Sequence, residues 1–596
     1  MGADVAPRRL HEESGTLSDP VARVVVDVTG VDRWFDYLIP EHLAARAVVG
    51  ARVRVPLHNR HVPGWIMAVL TTRDVADEGF DPGRLLPLDK VVSLGPDAPL
   101  VELIEWAAKR YVSRRRPLFV SASPPRIVSA LGVSQRGTRS VDARGREPWV
   151  ADLLGAPGAA VVRIGPHDDG SNVVLTAALH GPTLVVVPMV SVARQLAAEL
   201  RRRGLTTALV PDEWARAASG VDVAIGARSA VWSRIDGLTS IVVIDEHDDS
   251  LQEERTPTWH ARDIAVERAR RADIPCLLVG PVPTIAALHA GGSRIVTLTS
   301  SAQWPIVRVI DRSHDERWGS SVVSSELVAL LRDRSKRVAC VLNTKGRARL
   351  LSCRSCSQIV RCETCDAAMT QPDDSRLECP RCGASRPVVC AQCGSTAMRT
   401  VRRGVARLRE ELQAAAGRDV VEVTGIDDRI AAADVYVGTV AVLHRIDSVD
   451  VVVFLDIDGE LLAPRFRAAE ATLELIVHGV RRVPLSGGEV WLHTHHPGHD
   501  VVSGLAAGDL EAFTANELQR RRALSLPPFG ALARISGPGS DDVADQLAGS
   551  LHLSVARRDG EVLVRAATYD MLGEELGSVS RGKHARWRVA VDPPRV

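Results

Sequence analysis

Apolar and polar positions follow two rhythms along this chain of 596 residues, and the change falls near residue 151. Before it, residues 21–70 carry the β-branched runs VARVVVDV and ARVRVP, with GWIMAVL as a third strand. VELIEWAAKRYV (101–112) has apolar residues at helical spacing. Residues 124–150, rich in Ser, Arg, Gly and Pro, read as a linker. From 151 onward strand and helix alternate. TLVVVP, VDVAIGA, SIVVIDE and PCLLVG are strands; VARQLAAELRRR and WHARDIAVERARRA are helices. Ser191 is the expected cap of the first helix and Gly204 its end. Such alternation predicts a mainly parallel sheet covered by helices on both faces. The theme resumes after 335 with RVACVLN and is interrupted by a cysteine block. It continues with GVARLREELQAAAG, DVVEVTG, ADVYVGT, VDVVVFLDID, FRAAEATLELIVHGV and GEVWLHTHH. A second α/β lobe with an insertion is the simplest account, followed by a small α+β tail domain.

Composition changes this picture in one respect. With 45% hydrophobic and 25% charged residues and a net charge of +1, the chain has ordinary globular composition, and any basic surface is local. No apolar run approaches the roughly 20 residues that span a bilayer, so no membrane role is expected. Residues 1–20 lack the apolar core of a signal peptide and read as a disordered tail, which implies a cytoplasmic protein. The lysines, however, are only Lys90, Lys109, Lys336, Lys345 and Lys583. Nothing between Lys109 and Lys336 can supply the lysine of a phosphate-binding loop.

Eight of the ten cysteines lie between Cys353 and Cys393, as CRSC, CETC, CPRC and CAQC. The other two, Cys276 and Cys340, sit in apolar runs and read as core. Each CxxC turn supplies half of a four-cysteine zinc site, and two of them carry the CxxCG form. Four pairs make two zinc ions, structural rather than catalytic because no ligand position is open. Iron–sulfur ligation is the alternative; disulfides suit regularly paired cytoplasmic cysteines poorly. Spacing alone permits three pairings of the four units. Each ion could contribute on the order of 10 kcal/mol to folding a segment with almost no apolar core of its own.

GPHDDGSN, Gly165 to Asn172, lies between the strand VVRI and an apolar helical stretch. Gly165 and Gly170 keep the glycine spacing of GxxxxGK[ST], but Ser171 stands at the lysine position and Asn172 at the hydroxyl position. Asp168 and Asp169 add negative charge where phosphates would lie. Two unit charges about 4 Å apart at an effective dielectric near 20 repel by roughly 4 kcal/mol. Downstream, SIVVIDEH has the form of a Walker B strand, with Asp245 for Mg²⁺ and Glu246 to orient water.

The ordered set RWFDYLIP, GARVRVP, IGARSAVW, IVVIDEHDDS, WHARDIAVERA, CVLNTKGRARLLSC, the four-CxxC block, YVGT, FLDIDGELLAPRFRAAEA, GEVWLHTHHPGH and LPPFGALARI resembles the PriA family of primosomal replication-restart helicases over nearly the whole chain. The departures are as informative. The family's DEEH is DEHD at Asp245–Asp248, VPE is VPM with Met189, and a GSATP-like motif is GPVPT. The arginine-finger segment QVAGRAGR reads HGVRRVPL, where Arg482 matches one arginine and Leu485 replaces the other. The linker is short where the family has a winged-helix domain. The pattern is similar to the actinobacterial branch, in which helicase motifs are not detectable.

The resemblance implies a multidomain α/β protein. Its parts are a tail (1–20), an N-terminal β-rich 3′-end DNA-binding domain (21–123), a linker with reduced winged-helix region (124–150), and a degenerate RecA-like lobe 1 (151–310). Lobe 2 follows in two parts (311–350 and 399–505) around a two-zinc module (351–398), then the C-terminal domain (506–596). Holding a DNA 3′ end falls to Phe35, Asp36, Gly50 and Lys90. On residues alone, Phe35 and Tyr37 are equally hairpin core and Asp36 a turn residue. The resemblance pairs Cys353, Cys356, Cys390 and Cys393 around one zinc and Cys362, Cys365, Cys379 and Cys382 around the other. Arg354, Arg361, Arg381 and Arg386 between them either touch DNA or partners, or merely solvate the module. The vestigial nucleotide site comprises Gly165, Gly170, Ser171, Asn172, Asp245, Glu246 and Arg482. The implied function is replication restart: binding forked DNA in the nucleoid and helping assemble the primosome with restart proteins, the replicative helicase loader and single-strand-binding protein, without a working ATP motor. The rivals are an ATP-dependent 3′→5′ helicase with an atypical site and a zinc adaptor acting only through proteins.

Overall fold

Strand pairing begins at Pro20, inside the stretch expected to be a disordered tail; residues 1–18 lie outside the described residues. The computed structural model describes residues 19–593 apart from 138–139, 299–303, 315–321, 343–350, 357, 365, 372–374, 380–381, 401–404, 424–429, 559 and 581–585. By packing, the chain divides into two units. One comprises Met1–Gly145, Ala177–Ile241 and Glu253–Ile274; the other comprises Arg146–Thr176, Val242–Gln252 and Pro275–Val596.

The N-terminal strands are β1 (Pro20–Val26), β2 (Trp34–Leu38), β3 (Arg52–Leu57), β4 (Arg60–Thr71), β5 (Leu86–Pro87) and β6 (Lys90–Ser93), in the order β5-β2-β1-β4-β3-β6. β5 and β6 are consecutive, yet they pair with opposite edges of the sheet, so the sheet closes on itself. At the seam, Leu88 N–H donates to the Leu38 carbonyl (2.9 Å) and Asp89 N–H to the Arg54 carbonyl (3.1 Å). Alternation points Ala22, Val24, Tyr37, Val53, Ile66 and Val91 into the barrel. The Tyr37 hydroxyl donates to the Pro56 carbonyl at 3.0 Å, a buried phenol finding its partner. Trp65 stacks on Phe119 of the helix Arg115–Ala122 with ring centroids 5.4 Å apart, and its Nε1 donates to Ser123 Oγ at 2.7 Å. The helix expected at 101–112 runs from Ala98 to Arg110.

Residues 158–297 hold β7 (Gly158–Arg163), β8 (Thr183–Val186), β9 (Thr207–Leu209), β10 (Val223–Gly226), β11 (Ser240–Ile244), β12 (Pro275–Gly280) and β13 (Ile295–Thr297). In the first unit β10 pairs in parallel with both β8 and β9; in the second β7 pairs in parallel with β12 and β13. Helices alternate with these strands, the pattern of a RecA-like lobe. The helix after β8 runs Val190–Arg202, with Met189 at its N-cap and no side-chain cap, so the expected cap at Ser191 is wrong. Ser191 lies one residue inside the first turn. The helix ends at Arg203 before Gly204, as expected, and Gly204 takes φ +96°.

In the second unit β14 (Ile306–Asp311) and β15 (Val338–Val341) precede the cysteine block, which contributes β16 (Leu351–Cys353), β17 (Arg376–Glu378), β18 (Ser385–Pro387) and β19 (Met398–Thr400). The lobe resumes with β20 (Val421–Val423), β21 (Val435–Gly438), β22 (Val451–Phe454) and β23 (Glu489–Thr494). Its six strands are all parallel, in the order β14-β23-β22-β15-β21-β20, with an apolar core on each face. The chain ends in an antiparallel sheet of β24 (Ala531–Ser536), β25 (Leu553–Arg558), β26 (Glu561–Ala566) and β27 (Arg588–Val591), packed with the helices Ser540–Leu547 and Tyr569–Ser578.

Gly50, read from the sequence as a DNA contact, has a demand of its own. Its φ is +81°, and a Cβ there would lie 1.5 Å from the Pro96 carbonyl oxygen. Gly50→Ala is therefore expected to destabilise the barrel by about 3 kcal/mol or more. Urea unfolding followed by tryptophan fluorescence measures this, and an unshifted midpoint would refute the steric requirement.

Candidate metal centres and nucleotide-loop site

The four CxxC units repeat one backbone turn. The N–H of Cys353, Cys362, Cys379 and Cys390 each donates to the carbonyl five residues on, at Gln358, Ala367, Ala384 and Ser395. Where the fourth following residue is described, its N–H returns to the first cysteine's carbonyl: Asp366 to Cys362, Gly383 to Cys379, Gly394 to Cys390, each at 2.9 Å. That residue must be left-handed. Gly383 and Gly394 sit at φ 76° and 74°, and Asp366 at 60°. The sequence shows the glycines of CPRCG and CAQCG; CETCD carries the same turn with Asp366, which the sequence reading missed.

These turns bring the outer units together. The Sγ atoms of Cys353, Cys356, Cys390 and Cys393 all lie within 4.8 Å of one another, with Cys353–Cys393 and Cys356–Cys390 at 3.5 Å. The inner units converge likewise through Cys362, Cys379 and Cys382, with Cys362–Cys382 at 3.5 Å; Cys365 lies outside the described residues. A separation of 3.5 Å excludes a disulfide, whose sulfurs sit about 2.05 Å apart. It suits thiolates about 2.3 Å from a shared tetrahedral ion, which stand about 3.8 Å apart. The module has more apolar core than expected: Leu351, Val360, Ala367, Met369, Leu377 and Val388 pack together, and the Ala368 N–H donates to the Leu462 carbonyl of the lobe at 2.8 Å. The described arginines turn inward on the module. Arg361 grips both Asp366 oxygens (2.9 and 3.0 Å), Arg354 donates to the Met398 carbonyl (3.1 Å), and Arg386 donates to the Val389 carbonyl. Arg381 lies outside the described residues.

The loop 165–172 is filled by its own aspartates. Asp168 Oδ1 accepts from the Gly170 N–H at 2.8 Å, and Asp169 Oδ1 accepts from the Ser171 N–H at 2.9 Å. These N–H groups open the helix Ser171–His180, where a phosphate would bind. Gly170, at φ 72°, lies against Ile244; a Cβ would come within 2.6 Å of its Cδ1. Asn172 is a helical residue whose carbonyl accepts from Thr176 Oγ1 at 2.8 Å.

Both Walker-type carboxylates are also engaged. Glu246, fully buried, accepts from the Thr284 N–H (2.6 Å) and hydroxyl (2.9 Å). Asp245 is held bidentately by Arg481, with NH1 to Oδ2 at 2.7 Å and NH2 to Oδ1 at 2.6 Å. Arg481 Nε continues to the Pro166 carbonyl at 2.8 Å, and His167 Nε2 donates to the Val483 carbonyl at 2.8 Å. The three segments that the sequence suggested as phosphate loop, Mg²⁺ ligand and arginine finger are thus stitched together. The residue responsible is Arg481, not Arg482, which the sequence matched to the finger. Arg482 Nε is buried without a partner among the described residues. Burial would raise the Asp245 pKa, but the Arg481 charge and hydrogen bonds hold it below the ordinary carboxylate value. Met189 and Leu485, the other eroded positions, are about half exposed.

On the barrel, Phe35 packs against the core beside Tyr37. Asp36 faces outward in mid-strand rather than in a turn, paired with Arg23 through Nε–Oδ1 and NH2–Oδ2 bonds of 2.9 Å. Lys90 opens β6, exposed, opposite Arg54. The barrel seam brings β2 and the β5–β6 segment side by side, which sequence spacing could not show.

Two parallel α/β lobes, an N-terminal barrel and an inserted cysteine-turn module define a multidomain α/β protein. Residues 23–124 match the family model of the PriA 3′ DNA-binding domain. The chain is 24% identical over 566 residues to the replication restart protein PriA of Rickettsia conorii, covering 85% of each. It is 26% identical over 571 residues to that of Treponema pallidum, covering 86% of each. Against the PriA of Bacillus subtilis it is 29% identical over 395 residues, spanning about half (49%) of the relative's length. Each of these relatives is a replication restart protein PriA to which the chain is similar. Among solved structures, S. cerevisiae dbp5 bound to nup159, gle1, ip6 and adp is similar at a TM-score of 0.30 and 12% identity, covering 64% of this chain and 88% of that one. The E. coli DExH-box NTPase HrpB gives 0.34 and 13%, covering 63% and 43%.

An aspartate whose pKa is lowered in the fold contributes stability at neutral pH, and that contribution fades as pH falls through the lowered value. Arg481→Ala leaves the buried Asp245 without its partner and is expected to cost about 3–5 kcal/mol at pH 7. The deficit should shrink as pH falls toward 4 and the stranded carboxyl takes up a proton. Thermal midpoints of both proteins across pH 4–7 measure this; a pH-independent gap would refute the coupling.

Proposed function

We propose that this chain acts in replication restart, binding forked DNA and helping assemble the primosome on a helicase-type scaffold that no longer runs on ATP. The observation that carries the motor's loss is the Arg481–Asp245 pair. A cation-binding carboxylate held by a guanidinium cannot ligate Mg²⁺ without breaking a buried bidentate pair. The loop beside it spends its anion-binding N–H groups on Asp168 and Asp169, and no lysine lies between Lys109 and Lys336 to replace them.

The match of residues 23–124 to a 3′ DNA-binding domain supports DNA binding through the barrel. Phe35 and Gly50 shape the end-binding recess, Asp36 accepts from the 3′ hydroxyl, and Lys90 neutralises phosphate. Asp36 can serve while paired with Arg23, because a carboxylate has about four acceptor positions. The two cysteine clusters hold one zinc ion each, Cys365 completing the inner site, and their role is to fold the module. The partners are forked DNA, other restart proteins, the helicase loader and single-strand-binding protein, in the cytoplasm at the nucleoid.

Nucleotide titration of the zinc-loaded protein, with and without forked DNA, tests this reading. No DNA-stimulated hydrolysis is expected, together with salt-dependent binding that favours forks with a free 3′ hydroxyl over the same forks ending in a 3′ phosphate. Hydrolysis that rises with DNA and disappears in Asp245→Ala and Glu246→Ala would establish the helicase instead. Equal, salt-insensitive affinity for forks and blunt duplex would establish a protein adaptor.

Metal analysis gives a separate check on the module. Cys390→Ser is expected to lower zinc from two ions per chain to one and to leave the inner site loaded. Full retention of both ions would break the assignment of the outer set.

A further inference from the structure

A second group of metal-ligating side chains lies away from the cysteine module. The helix Ala468–Val480 carries Glu474 and His478 four residues apart, on one face. The turn after β11 brings Asp248 to them, and the ligating atoms of the three residues all lie within 4.8 Å of one another. The side chains of Asp248, Glu474 and His478 are only 11%, 13% and 16% exposed. His478 Nε2 stands 3.8 Å from Asp248 Oδ2 and 3.8 Å from Glu474 Oε1.

That spacing is informative. It is too long for a hydrogen bond. Two ligands each about 2.1 Å from one ion stand about 3.4 Å apart at a tetrahedral angle and about 4.2 Å apart when opposed. The observed 3.8 Å falls between these limits. The carboxylates are already oriented by other bonds: Asp248 Oδ1 accepts from the Ser250 N–H at 2.8 Å, and Glu474 Oε1 accepts from the Asp249 N–H at 2.9 Å. Such outer bonds to carboxylates are a usual support of metal ligands. Beside Asp248, the His247 ring is buried with both nitrogens unpartnered among the described residues, an imidazole that no protein group satisfies.

We propose that Asp248, Glu474 and His478 form a third metal site that takes one divalent transition ion. Two carboxylates beside a single imidazole suit Mn²⁺ and distinguish the site from the all-thiolate centres, which take zinc. It is also distinct from Asp245, the Walker-type carboxylate, which Arg481 occupies. An ion here ties the turn after β11 to the helix whose next turn presents Arg481. It thereby fixes the geometry of the Arg481–Asp245 pair from one side.

Titration of the zinc-loaded full-length protein with Mn²⁺, read by loss of the free-ion EPR signal, tests the site, because thiolate centres filled with zinc do not take Mn²⁺. One Mn²⁺ per chain is expected in the parent. Affinity should fall tenfold or more in Glu474→Gln and in His478→Gln, with zinc content unchanged at the cysteines. Asp248→Asn tests the same site from the turn side if a helix variant fails to fold. No Mn²⁺ bound by the parent, or parent-like affinity in the folded variants, overturns the proposal.

Discussion

Much of the second unit's functional region is organised by one buried guanidinium. Arg481 holds Asp245 with two bonds and the Pro166 carbonyl with a third, so three segments far apart in sequence meet at one cation. Such a pair is costly to desolvate and costly to break, and geometry decides its net worth. Here the geometry is planar and bidentate, the arrangement for which arginine is better suited than lysine. The consequence is chemical as well as structural: the carboxylate that the sequence suggested for a metal–nucleotide complex is bonded to the protein instead.

The neighbouring loop follows the same logic. A helix N-terminus with free N–H groups attracts an anion, and Asp168 and Asp169 supply it from within the chain. An internal carboxylate is present at very high effective concentration, so free N–H groups at a helix start are easily satisfied this way. Charge that argued against phosphate binding in the sequence becomes, in the fold, the group that satisfies the site.

Metal and barrel are organised by different forces. The cysteine turns are local devices, each closed by bonds spanning four or five residues, and a left-handed residue finishes them whether it is Gly383, Gly394 or Asp366. The barrel depends on one long-range closure, in which the segment holding β5 and β6 joins both edges of the sheet and leaves no open edge there. Gly50 shows a demand of the fold itself: its lack of a side chain is required by Pro96.

The sequence by itself determined what depends on near neighbours. Strand and helix alternation predicted the parallel lobes, the β-branched runs predicted the barrel strands, and the CxxC spacing predicted metal turns, because period and turn chemistry are local properties. A local rule also failed locally: Ser191 had the right residue type for a cap, yet the helix begins two residues earlier, after Met189. Spacing left the pairing of the cysteine units open and only the family resemblance supplied it; tertiary structure alone decided that the barrel closes and that Arg481 rather than its neighbour Arg482 reaches Asp245. Adjacent helix-end residues point about 100° apart, and a motif match cannot say which of the two faces a carboxylate 236 residues away. The grouping of Asp248 with Glu474 and His478 was hidden for the same reason: side chains on separate segments become one site only when the fold sets the distance between them.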